Sequence, residues 1–195
     1  MLLVAAGGIG LASKGIFAKL LYAQGVDVQT VLVLRTVLAW PGFLLVGYLF
    51  GARESLRHAP RWAWFAAATG GFACYYFGAG INFLALSLID ASVERALLFS
   101  YPALVVMASS VIQRRMPGRV TLLAIVITWV GISLVVGLQD ADVFSQNAFG
   151  SGLVLVCAAT MAFYLMVTER TTRAINSAAF TTVAMTAAAA CFGLQ

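Results

Sequence analysis

The sequence predicts an all-α protein, a polytopic transmembrane bundle of about seven helices, and three observations carry that prediction. Hydrophobic residues make up 62% of the chain and charged residues only 10%, against about 45–50% and about 25% in ordinary soluble domains. Apolar runs of about 20 residues, the length that crosses a bilayer at about 1.5 Å per residue, recur from one end of the chain to the other. The charges gather in the short segments between those runs. Soluble enzymes and nucleic-acid modules are thereby excluded, and a net charge of +5 does not reinstate the latter, because the basic residues sit in loops between apolar helices.

The expected spans are 2–22, 29–50, 62–86, 91–112, 119–138, 148–168 and 176–195. The first has a signal peptide as its alternative, but Met1 is followed directly by Leu2, Leu3 and Val4 with no basic n-region. The second carries Trp40, read as an apolar filler, and Pro41, read as a mild kink. On the third, Gly70, Cys74, Gly78 and Asn82 recur every four residues, a stripe of small residues ending in an amide that can bond to a neighbouring helix. A plain packing seam is the simplest reading of it. The fourth opens with Asp90 and Glu94, acids that suit a helix N-terminus, and Pro102 interrupts its backbone bonding. Cys74, Cys157 and Cys191 lie inside apolar runs without metal-ligand spacing and read as small packing residues.

Orientation follows from the loops. Arg53, Arg57, Arg61, Arg114, Arg115, Arg119, Arg170 and Arg173 fall after the second, fourth and sixth spans, whereas the other loops hold only Lys19 and Arg95 near helix ends. Basic loops stay cytoplasmic, so the N-terminus is expected inside and the C-terminus outside.

Two cations lie deeper. Lys14 is near the middle of the first span and Arg35 about a third of the way into the second, where a lipid-facing charge costs roughly 2.5–3.5 kcal/mol. Each shares a face with small residues, Lys14 with Gly7 and Gly10, Arg35 with Ala39 and Gly42, which favours the bundle interior; snorkelling to the interface is the rival reading. Glu94 shares a stripe with Tyr101 and is placed to reach Lys14 or Arg35, so Lys14, Arg35, Glu94 and Tyr101 are the candidate solute-binding residues. Two cations facing one acid leave a charge that an anionic solute could balance. No metal or cofactor site is indicated. The single histidine, His58, is in a loop, and H-E-x-x-H, G-x-S-x-G and P-loop patterns are absent, so no enzyme is expected. The predicted inside N-terminus and the lack of a lysine in the seventh span argue against a receptor or a retinal protein.

The segments Ser13 to Arg35 and Ile89 to Met107, the latter reading I-D-A-S-V-E-R-A-L-L-F-S-Y-P-A-L-V-V-M, resemble the EamA-domain carriers of the drug/metabolite transporter superfamily. The resemblance implies a secondary transporter of the inner membrane, moving a small organic metabolite by alternating access, in export or exchange. It implies one complete domain of five helices over 2–138 and the start of a second over 148–195. The weak restart of the N-terminal pattern near Phe149, five helices on, fits an inverted repeat of that kind. Lys14, Arg35, Glu94, Arg95 and Tyr101 stand where this family keeps polar residues, while Gln113 replaces the Glu that often precedes Arg at the end of the fourth helix. A ten-helix carrier would need three further helices, so the chain is expected to be a fragment with unpartnered small-residue faces on its last two spans. A non-transporting membrane scaffold or assembly subunit is the alternative from another class. The loop asymmetry predicts that reporter fusions after Arg57 and Arg115 read cytoplasmic and that fusions near Asp27 and Asp142 read external; a cytoplasmic signal at Asp142 overturns the orientation.

Overall fold

The computed structural model describes residues 15–114, 116–136 and 141–194. Helix α1 covers 15–23, and a turn at Gln24 and Gly25 leads to α2, Val28–Leu49. Asp27 caps α2 by accepting from the Gln29 amide at 3.0 Å. Pro41 lies inside α2 without ending it. A short helix, α3 (Ala52–Arg57), follows Gly51, whose φ of 69° is the left-handed value that glycine adopts without steric penalty. Next comes a rod, Arg61–Leu88, built of α4 (Arg61–Gly71), a π-helical stretch (Phe72–Gly78) and α5 (Ala79–Leu88).

The fourth expected span is two helices, α6 (Ala91–Leu98) and α7 (Tyr101–Gln113), parted at Phe99 and Ser100. The break explains Pro102. In the first turn of α7 its missing N–H forgoes a bond that the start of a helix would not make anyway. Helix α8 covers Arg119–Val136, α9 Ala141–Thr171 and α10 Ser177–Gly193. The 31-residue α9 starts well before the expected 148, with Asp142 in its first turn rather than in a loop. Among the described residues, four stretches are long and apolar enough to cross a membrane: Val28–Leu49, Arg61–Leu88, Ala91–Gln113 and Ala148–Thr171. Two shorter apolar helices, Arg119–Leu134 and Ser177–Gly193, accompany them. The described residues are all helix, turn or connection, so the chain is a multi-pass helical membrane protein.

Helix α9 runs through the centre of the bundle, touching α4, the π stretch, α5, α6 and α7, while α10 packs on α2, α4 and the π stretch. The expected stripe on the third span faces α9 for three of its four residues. Gly70 lies against Tyr164, Cys74 donates from Sγ to Met161 Sδ at 3.6 Å, and Gly78 abuts Thr160. On a helix of about 3.6 residues per turn, a four-residue spacing drifts forward around the axis; the wider π turn cancels that drift and keeps the seam on one partner.

Small residues on the last two spans pack against the earlier helices. Ala158 and Ala162 on α9 and Ala179, Ala184 and Ala188 on α10 are all buried. Without a hydrophobic drive between helices in lipid, such small residues let backbones approach. Gly71 shows it most closely, since a Cβ there would run into the backbone of Ala184 on α10. Trp40 is also more than a filler, its indole N–H donating to Thr186 Oγ1 of α10 at 3.2 Å.

Gly71→Val should therefore lower thermal stability in detergent by about 1–3 kcal/mol through overpacking. Gly80→Ala, with nothing within 4 Å of the added carbon, should be close to neutral. Equal melting temperatures for the two variants would refute this packing account.

Candidate functional site

Charge inside a bundle has to be paired or hydrogen-bonded, and one buried carboxylate meets that demand through two neighbours. Glu94, in the first turn of α6, is 0% exposed. Its Oε1 accepts from Asn82 Nδ2 of α5 at 2.6 Å, and its Oε2 lies 3.1 Å from Nε of Arg95. Adjacent residues on a helix do not normally face each other. Here the long arginine curls back, with Gly15 of α1 beside its guanidinium. Asn82, the amide that ends the stripe on the third span, thus has Glu94 as its partner.

The sequence had placed Glu94 to reach Lys14 or Arg35, and for Arg35 that is corrected: its carboxylate is taken up by Arg95 and Asn82. Lys14 lies outside the described residues. Asp90 is corrected too. It occupies the N-cap position of α6 but makes no side-chain cap bond, and it pairs with Lys19 at 3.6 Å, where its side chain is 85% exposed.

Arg35 enters from α2 with its guanidinium carbon 5.3 Å from the centre of the Phe83 ring, within cation–π range. No carboxylate lies within ion-pair distance of it among the described residues. It borders a cavity of about 180 Å³ that is also lined by Tyr75 and Cys74 from the π stretch, Asn82 from α5, Arg95 from α6 and Tyr101 from α7. Cys157 and Met161, one turn apart on α9, complete the wall with Leu98 at the end of α6 and Phe99 in the break before α7. Of the candidates, Arg35 and Tyr101 share this cavity, and Glu94 stands behind it, holding Arg95 and Asn82.

Three lining features escaped the sequence. Tyr75, whose hydroxyl donates to Tyr164 at 3.2 Å, and the pair Cys157 and Met161 carry no charge to mark them in an apolar run. The signal that was available was the four-residue spacing of Cys157 and Met161, which places them on one face of α9. Chemically, the cavity offers an arginine with no carboxylate partner, a second arginine already neutralised by Glu94, phenol hydroxyls and polarisable sulfur. Arg95, which lines the cavity, has a buried Nη2 that makes no hydrogen bond among the described residues, so a donor remains for an oxygen-bearing group.

The class that the fold and the site define is a multi-pass helical membrane protein with two arginines on the wall of an internal cavity. The chain belongs to the EamA-like transporter family, whose model matches residues 1–137. It is similar to a protein of Bacillus subtilis (strain 168) described as the uncharacterized transporter YcbK, with 30% identity over 184 residues, 94% of this chain and 59% of that relative. The chain thus spans less than two thirds of the relative's length. No solved structure gives a significant match.

Removing the Glu94 carboxylate strands a buried arginine, which costs about 3–5 kcal/mol in buried pairs, whereas removing the Asn82 amide takes away its hydrogen bond to that charged group, worth about 1.5–3 kcal/mol. Glu94→Ala should therefore destabilise the protein more than Asn82→Ala, and the double variant should lose less than the sum of the two. Strict additivity in thermal unfolding would show that the two side chains do not act together.

Proposed function

We propose that the chain contributes the solute site of a secondary transporter that moves a small anionic organic metabolite across the inner membrane by alternating access, in export or exchange. The observation that carries this reading is Arg35, a cation in a transmembrane helix that borders an internal cavity with no carboxylate within ion-pair distance among the described residues. A non-transporting scaffold has no use for an uncompensated charge there, whereas a solute carboxylate or phosphate would complete it. In this reading Arg35, together with Lys14, contacts the anionic group, and Tyr101 lines the cavity beside it. Glu94 keeps Arg95 neutralised and Asn82 fixed, so the net charge that the solute meets comes from Arg35 and Lys14. The N-terminus is cytoplasmic in this scheme, and two inverted repeats of five helices, the first over 2–138 and the second beginning at 148, would alternate around the site.

The test is counterflow of a panel of radiolabelled organic acids into proteoliposomes of the natural gene product. Arg35→Gln should cut transport roughly ten- to hundredfold with unchanged expression, the loss expected for one charge-assisted contact. Lys19→Ala breaks only an exposed pair with Asp90 and should leave the rate within about twofold. Full transport by Arg35→Gln would mean that this arginine is an interfacial anchor.

A further inference from the structure

We propose that the groove between the ends of α2, α4 and α10, roofed by α3, is a binding site for the headgroup of an anionic phospholipid. The groove encloses about 970 Å³ and is lined by Arg53 and Arg57 of α3 together with Tyr48, Trp64 and Thr182. Helix α3 lies there because Ala52, which is 3% exposed, and the half-buried Leu56 pack into the core formed by α4, α9 and α10. That packing turns Arg53 and Arg57, four residues apart and hence on one face, outward.

The fold also brings a second basic segment to the same end. Asn176 caps α10 through its Oδ1 while its Nδ2 donates to the carbonyl of Phe50 at 3.1 Å and its backbone amide donates to Ser55 Oγ at 2.9 Å. The turn that carries Arg173, just after Arg170 at the end of α9, is therefore followed by a residue tied to the start of α3, which carries Arg53 and Arg57.

The acids at this end do not balance these charges. Glu54, which also borders the groove, lies 3.6 Å from His58, and Glu169 lies 3.3 Å from Arg173. Arg53, Arg57, Arg61 and Arg170 have no carboxylate within ion-pair distance among the described residues. The two guanidinium groups that line the groove, Arg53 and Arg57, call for an anion, and paired guanidiniums match the geometry of a phosphate.

A free phosphate ion would use little of a groove this size. Tyr48 and Trp64, exposed at 74% and 43%, stand at the ends of two membrane-crossing helices, the level where amphipathic rings meet lipid headgroups. A molecule with a phosphate at one end and acyl chains at the other fits both the charges and the apolar depth. This site is separate from the internal cavity and does not depend on the transport reading.

The experiment is native mass spectrometry and thermal melting of the delipidated protein after titration with phosphatidylglycerol, phosphatidylcholine, glycerol phosphate or inorganic phosphate. Phosphatidylglycerol should remain bound and raise the melting temperature, and the other three should not. The double variant Arg53→Gln with Arg57→Gln should retain phosphatidylglycerol about thirtyfold less well, while Arg119→Gln, a basic residue outside the groove, and the charge-preserving Arg53→Lys with Arg57→Lys should retain it. An equal shift with inorganic phosphate or glycerol phosphate, equal retention of phosphatidylcholine, or undiminished binding by the double Gln variant would each overturn the proposal.

Discussion

The bundle depends on how closely its helices can approach where neither has a side chain in the way. Lipid offers no hydrophobic drive for one apolar helix to seek another, so association rests on close packing and on polar bonds across the seam. Gly71 against the Ala184 backbone, Gly47 against Thr182, Gly78 against Thr160 and Gly150 against Ile89 are four such approaches, each joining an early helix or its connection to α9 or α10. They set the positions of α9 and α10, and with them the wall of the cavity and the groove at the basic end.

Within that packing the π stretch has a particular effect. It lies between Gly71 and Ala79, and by widening the helix it keeps Gly70, Cys74 and Gly78 facing α9 while letting Asn82 turn toward α6. A regular α-helix of the same sequence would rotate one end of that stripe off its partner. π-helical insertions recur at functional sites, and this one supplies two cavity residues, Cys74 and Tyr75.

The charges follow the same logic. Glu94 is fully buried, with Asn82 hydrogen-bonded to one carboxylate oxygen and the charge of Arg95 paired against the other. Its consumption by Arg95 leaves Arg35 without a carboxylate partner among the described residues, which distinguishes the cavity from a simple packing void. At the basic end the short pairs Glu54 with His58 and Glu169 with Arg173 are local and exposed, each worth little. The remaining arginines there carry the net field.

The sequence by itself determined what depends on local hydropathy and spacing. That covers the helical class, the limits of most spans to within a few residues, the interruption near Pro102, the family, and the presence of out-of-place charge at Arg35 and Glu94. Each of these is a property of one helix, set by the cost of leaving backbone or charge unsatisfied in hydrocarbon. What only the tertiary structure decided was pairing: that Glu94 bonds Asn82 and Arg95 rather than Arg35, that Asp90 goes to Lys19, and that Tyr75, Cys157 and Met161 meet Arg35 around one cavity. Which faces meet depends on the rotation of each helix about its axis and on contacts between residues far apart in the chain. A few degrees of rotation, gained from a π turn or a glycine, move a side chain from one partner to another without changing the hydropathy of a single residue.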